Sequence, residues 1–394
     1  GGAGFTPIFT SGTRTRPAVP FSGTFDGLGH AVNNLMINRS SIVTGLFGES
    51  TGHIRHVGLS GGSVTGSDTI GALVGRQSGG SIRHVYSTAS VSGTQNVGGL
   101  VGDLQNSGSV RHARSSGTVS GTTNNIGGLI GFVASNSTVS NSHASGNVQA
   151  PNASIVGSLV GLVSSSTLTD VSATGQVTGF NFTGGLIGNL ENSTLSRAFA
   201  SGAVNGPAVS ADNTGNYGGL LGIAINSTIS DVFATGAVNA GALRNVGGLI
   251  GAMSAGSLTN GYATGAVTGM TDVGGLVGLA DSLLTLSNSF WNTQTTGRDN
   301  AVGTGGLNAT SMGNAGKTTA QLQNAFTFID AGWNFETVWG KSITGANAGN
   351  MQLRSFTNDN FDDYVRVADA SKVYGAANST IAGAAVSGVG AANV

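Results

Sequence analysis

The chain has 394 residues, 68 of them glycine, with 39% hydrophobic and 8% charged residues and no cysteine. So much apolar content at so little charge excludes a disordered chain, and the missing cysteines exclude a disulfide framework, a thiolate metal site and a cysteine nucleophile. A net charge of −1 gives no general attraction to nucleic acid or an anionic membrane, and no apolar run is long enough to span a bilayer.

Charge is uneven along the chain. Residues 1–114 hold 8 Lys+Arg and 4 Asp+Glu, a net of +4; the remainder holds 8 and 13, a net of −5. All 6 histidines lie at or before His143. Residues 1–20 read as a lead-in. Their opening, GGAGFTPIFT, lacks a basic stretch followed by an apolar one, so no signal peptide is read there. FSGTFDGLGHAVNNLMI, residues 21–37, shares the glycine and apolar punctuation of the repeats C-terminal to it and reads as an opening turn.

A tetrad G-L-φ-G, with φ apolar, then starts at Gly45, Ala72, Gly99, Gly128, Ser158, Gly185, Gly219, Gly248 and Gly275. The spacings are 27, 27, 29, 30, 27, 34, 29 and 27 residues, and the longest expands at GPAVSADNTGNYGG, which reads as a loop. Each unit holds three short strand-like pieces: S/T-φ, as in Ser81-Ile82; A-x-G-x-V-x-G, as at Ala263–Val267; and the tetrad. β-Branched residues dominate the apolar positions and no piece is long enough for a helix. Short strands at a fixed period predict an all-β parallel β-helix, a β-solenoid of about nine to eleven rungs, right-handed as parallel crossovers are. One unit cannot bury its own apolar face, but a stack can.

The units align into columns. Ile54, Ile82, Val110, Val139, Leu168, Leu195, Ile229, Leu258 and Leu286 predict one inward column. Val64, Val91, Val119, Val148, Val177, Val204, Val238 and Val267 predict a second. Glu49, Arg76 and Asp103, and likewise Asp170, Arg197 and Asp231, alternate in sign at equivalent positions and read as outward ion ladders, each pair worth under about 1 kcal/mol where exposed. The paired apolar residues of each tetrad, such as Leu100-Val101, leave two options: an outward apolar stripe, or a bend at the glycines that turns both inward. Thr65, Ser92, Ser120, Thr178 and Thr268 form a small polar column, which Gln149, Asn205 and Asn239 break. That irregularity speaks against ice binding.

The solenoid is placed at residues 21–290. Residues 291–354 read as a capping segment, with a short helix over 318–330 built on Leu322, Ala325 and Phe326. Residues 355–394 read as a linker and the start of a further module.

The candidate site is Arg55-His56, Arg83-His84 and Arg111-His112, at one place in three successive units, with Arg114 nearby. Guanidinium groups bind carboxylates in pairs of hydrogen bonds, so this pattern suits an anionic ligand such as an acidic polysaccharide. The alternative is a solvated column copied by repeat duplication. Asn141, Asp170, Arg197, Asp231, Asn260 and Asn288 occupy the histidine position further on, as a corner slot favouring polar residues would. Stacked imidazoles diverge, so no metal site is expected. The acidic residues within the repeats form no adjacent pair, and no Ser-His-Asp order, P-loop or HExxH is present; no catalytic residue and no cofactor is expected.

The nine tetrads and the intervening A-T-G-x-V-x-G resemble the GLUG repeat of large bacterial surface exoproteins. SFWNTQTTG…GWNFETVWG resembles the segment that comes after GLUG arrays, and ASKVYGAANST resembles the opening of MBG/YDG-type β-sandwich modules. The resemblance covers roughly residues 21–380. It implies a filamentous-haemagglutinin-like adhesin of the two-partner secretion pathway, a biofilm-matrix adhesin being one such. Such a protein is secreted to the bacterial cell surface or extracellular matrix with an outer-membrane transporter as partner. It is non-enzymatic, binds exopolysaccharide or host glycan, and neither binds nucleic acid nor inserts into membrane. The amino-terminal secretion domain of that family is not seen, which fits a fragment of a longer rod. A polysaccharide lyase or hydrolase and a pure structural spacer are the competing readings.

Overall fold

The structure is a computed structural model; it describes residues 2–8, 19–207, 215–281, 283–305, 315–342 and 349–356, and the backbone of 365–367 and 386–388. It divides into two units, Gly1–Lys317 and Thr318–Val394.

The first unit is a β-solenoid of about ten coils, all of them paired in parallel. One coil consists of Thr69–Gly71, Val74–Ser78, Ser81–Ser87 and Ser90–Gly93. The next repeats these as Val97–Gly98, Val101–Gln105, Ser109–Ser115 and Val119–Gly121. Each strand pairs in register with its counterpart one coil on. These coils therefore have four strands, where the sequence suggests three; in two later coils the second and third run on as single strands, Leu221–Ala234 and Ile250–Ala263. The difference lies in the tetrad, whose first two residues bend between two strands and whose last two open the second of them.

The glycines make that bend possible. A Cβ on Gly98 would stand 1.9 Å from the carbonyl oxygen of Val101, and one on Gly131 would stand 2.5 Å from the backbone carbon of Asn96. The first strand of one coil thus touches the second strand of the next, main chain against main chain. The bend also turns both apolar tetrad residues into the core: Leu100, Val101, Leu249 and Ile250 are all buried. No outward apolar stripe forms at these positions.

Both predicted apolar columns are realised. Ile54 through Leu286 are Cα partners coil by coil, with Phe25 joining at the start. Val64 through Val267 do the same, headed by Ile37. Each buried side chain of this size contributes about 2 kcal/mol relative to exposure. A third buried column is polar. Ser166, Ser193 and Ser227 each accept from the backbone N–H of the serine one coil before, at 3.2, 3.1 and 3.2 Å. Each donates to the carbonyl two residues before it, at 2.9, 2.6 and 2.8 Å. The corner's backbone polarity is satisfied without water.

The ion triplets pair as the alternating signs predict. Arg76 lies 3.5 Å from Glu49 and 3.1 Å from Asp103, and Arg197 grips Asp170. The first triplet is only partly exposed, so the small energy of a fully solvated pair does not apply to it. The Asp103 side chain is only 7% accessible, and its partner one coil on is Phe132. Burial pushes the Asp103 carboxyl up, against the pull of Arg76.

At the N-terminal end, Ile8 bridges Phe47 and Phe21 bridges Ser50. Arg39 fastens the lead-in through Phe5, Gly4 and Thr6. The expanded loop resumes at Asn216–Gly218, and residues 208–214 lie outside the described residues. Parallel pairing continues past residue 290, where the sequence suggests it ends. Val302–Gly305 pairs with the Val277–Ala280 strand, and Ala315–Lys317 pairs with Phe290–Asn292.

In the second unit, the helix expected over 318–330 is two turns, Thr319–Leu322 and Phe326–Ile329. Thr318 and Gln321 form a capping box at the first. Leu322, Ala325 and Phe328 are buried, while Phe326 is only half-buried. Phe328 packs on Trp333 at 4.7 Å, and Trp333 on Trp339 at 4.6 Å. The stretch ASKVYGAANST lies outside the described residues.

Candidate functional site

The third strand of each coil carries the predicted residues. In it, or directly after it at His56 and Asn288, one residue has a left-handed backbone: His56, His84, His112, Asn141, Asp170, Arg197, Asp231, Asn260 and Asn288, with φ between 48° and 56°. Asn, Asp and His tolerate this conformation better than most side chains. This explains the polar slot seen in the sequence. It also explains the spacing of the core residues, because the left-handed residue lets Ile82 and Val85 both point inward.

Three outward columns flank and include that slot. Arg55, Arg83 and Arg111 are Cα partners, followed by Ser140. His56, His84 and His112 stack face to face, with ring centroids 5.3 and 4.7 Å apart. Tyr86, Arg114 and His143 form the third column. All seven predicted residues therefore share one face of three adjacent coils.

They are not equivalent. Asp26 accepts from Arg55 Nε at 2.8 Å and lies 3.1 Å from His56 Nδ1. Its carboxyl is held at about 2, chiefly by the Leu28 backbone N–H, with His56 and Arg55 adding to it. Among the described residues, no carboxylate pairs with Arg83, Arg111 or Arg114. All three arginines are exposed. His112 is held below the usual imidazole range by burial and then by the positive neighbours His84, Arg111 and Arg114. These coils thus present a positively charged face with Asp26 on one side.

Asp26, Tyr86 and His143 were not picked out from the sequence. The signals were present: aligning Phe25 with Ile54 puts Asp26 on Arg55, and SIRHVY beside SVRHAR puts Tyr86 on Arg114. Tyr86 is 42% exposed, whereas Phe233, Tyr262 and Phe290 of the same column are buried. Its ring lies against Gly58, where a Cβ would meet ring atoms at 2.2 Å.

His143 shares hydrogen bonds with Ser172 at 2.9 Å and Thr174 at 3.5 Å. Burial, then Arg114, holds it below the usual imidazole range. The unfolded chain therefore binds more protons than the folded one as pH falls into that range, and stability drops with it. Urea unfolding of the wild type is expected to weaken between about pH 7.5 and about pH 5.5. H143Q weakens less over the same interval; an equal loss in both would remove His143 as a contributor.

Elsewhere on the third strands, Arg197 bonds both oxygens of Asp170 at 2.8 Å, and Asn260 donates to Asp231 at 3.2 Å. These carboxylates are members of a ladder. Among the described residues, no group of three or more His, Asp or Glu is placed to hold a metal ion. No helix among them is long and apolar enough to cross a membrane.

Residues 122–149, one coil including the tetrad at Gly128, match the GLUG motif. The chain is also similar to halomucin of Haloquadratum walsbyi, 41% identical over 81 residues. That stretch is 20% of this chain and 1% of halomucin, so the chain spans a small fraction of the curated relative it matches. No solved structure matches it. One coil of the solenoid is thus similar to the GLUG motif, and the arginines and stacked histidines lie on coils N-terminal to it.

Proposed function

We propose that this chain is a non-enzymatic segment of a secreted, surface- or matrix-associated adhesin, and that its basic face binds an acidic polysaccharide. One observation carries the reading. Arg83, Arg111 and Arg114 stand exposed in neighbouring coils with no carboxylate partner among the described residues. The GLUG match and the similarity to halomucin support an adhesin-like surface protein. Export through an outer-membrane transporter partner belongs to the same reading and rests on the resemblance to two-partner secretion adhesins.

A structural spacer is the second reading, and the left-handed slot favours it for the histidines. Asn serves that slot in other coils, so His there needs no ligand to explain it. The arginines sit outside the slot, and the slot does not explain them.

The test is binding of the purified chain to acidic and neutral polysaccharides, with calcium and with chelator. Arg83→Ser combined with Arg111→Ser is expected to weaken binding at least about 30-fold, since each removes a charge-assisted hydrogen bond. No polysaccharide bound at any pH would leave the spacer reading. Depolymerisation of one would replace both with an enzyme.

A further inference from the structure

We propose that Asp26 sets the length of this basic face: its carboxylate occupies the first of the three stacked arginine–histidine pairs, so that an acidic ligand finds its arginines at Arg83, Arg111 and Arg114 only. The inference rests on the polysaccharide reading and adds the residue that limits it.

Register is the first argument. Thr24–Asp26 pairs in parallel with His53–Arg55 and puts Asp26 in the arginine column, one coil before Arg55. The column reads Asp26, Arg55, Arg83, Arg111 and Ser140. It holds one carboxylate, and that carboxylate meets only the arginine next to it.

Occupancy is the second. Asp26 Oδ2 accepts from Arg55 Nε at 2.8 Å, and Oδ1 lies 3.1 Å from His56 Nδ1. Oδ1 also accepts from the Leu28 backbone N–H at 3.0 Å. That bond comes from the chain just beyond Asp26 and holds the carboxylate in place. A group tethered on the same fold competes at an effective concentration on the order of millimolar, and an anion from solution has to displace it. The carboxyl is held at about 2, so the competitor stays ionised at neutral and mildly acidic pH.

Access is the third. The side chains of Arg55 and His56 are 36% and 44% accessible, so it is the carboxylate, and not burial, that keeps them from a ligand. Among the described residues, no carboxylate pairs with Arg83, Arg111 or Arg114. Beyond Arg111 the column continues as neutral Ser140. The free face therefore spans two coils, bordered by Asp26 at one end and Ser140 at the other.

The experiment is calorimetric titration of the purified chain with dextran sulfate, polygalacturonate and neutral dextran at several salt concentrations, with chelator present. Asp26→Asn is expected to bind the polyanions at least about tenfold more tightly, because it frees one charge-assisted contact. The slope of log K against log salt concentration should steepen by about one ion contact. Asp26→Ser should do the same; both variants keep an oxygen for the Leu28 N–H, and hydrogen exchange at residues 24–26 and 53–55 verifies that the first pairing survives. Adding Arg55→Gln to Asp26→Asn should return the affinity to within about threefold of wild type. Asp231→Asn is the control. It makes the same charge change four coils beyond His112, in the slot that Asn260 fills one coil on, and should shift the affinity less than about twofold. An Asp26→Asn chain that binds no more tightly than Asp231→Asn, or a gain that survives Arg55→Gln, overturns the role of Asp26 and leaves the polysaccharide reading standing. Neutral dextran bound as tightly as the polyanions, or no polymer bound by wild type or Asp26→Asn, overturns both.

Discussion

Gly131→Val is expected to break the solenoid at the fourth tetrad. The valine Cβ would stand 2.5 Å from the backbone carbon of Asn96 and 2.7 Å from the backbone nitrogen of Val97. Neither contact is the end of a flexible side chain, so the two strands must separate. The strand Val97–Gly98 is also paired with its counterparts on both sides, and separation disturbs three coils. The cost is about 4 kcal/mol or more, at the upper end of overpacking effects. Hydrogen exchange is the measurement. Protection should collapse at residues 96–102 and 126–133 while the last coils keep theirs, because each coil touches mainly its neighbours. Gly131→Ala should fall between the valine variant and wild type. Gly241→Asn is the control: Gly241 has φ +59° with nothing near its Cβ position, and asparagine accepts that conformation. A Gly131→Val rod as stable as Gly241→Asn would mean that close backbone contact is not what the tetrad provides.

Arg76→Met is expected to destabilise the rod by about 2–3 kcal/mol, discounted from the cost of breaking a fully buried pair because Arg76 is partly exposed. Asp103 is buried, its Oδ2 accepts from Arg76 Nε at 3.1 Å, and its Oδ1 has no other partner. Without Arg76 the carboxylate is left dry and uncompensated. Its carboxyl, already pushed up by burial, then rises further. The folded state therefore holds the proton more firmly than the unfolded one, so the variant is less unstable in acid and loses stability as pH rises toward neutral. Chemical unfolding across that range reads this directly. Adding Asp103→Asn to Arg76→Met should recover most of the loss and flatten the pH profile. If the double variant is no more stable than the single one, the damage lies in lost arginine packing rather than in a stranded charge.

The stack itself was legible in the sequence because its causes are local and repeated. Inward columns such as Ile82, Val110 and Val139 must be apolar in every coil, so period and register can be read by alignment alone. Signs that alternate, as in Glu49, Arg76 and Asp103, identify neighbours in the same way. Contacts made within one column are visible to anyone who finds the period.

What the alignment could not show depends on backbone direction and on contacts between columns. Leu100 and Val101 face the same core only because the chain bends between them, and that bend rests on glycine carbons meeting main chain from another coil. The polar slot at His84 was visible as a preference, but its left-handed φ was not. The burial of Asp103 came from packing around it, which no repeat position predicts. At the basic face the arginines were found by period, while Asp26 came from an opening turn too diverged to align at sight and Tyr86 from a column whose occupants change type. Sequence by itself determined the coil and its register, because stacking forces the same residue type onto the same position. Only the tertiary structure decided which of the repeated charges are free, because that depends on the unlike residues that meet them in space.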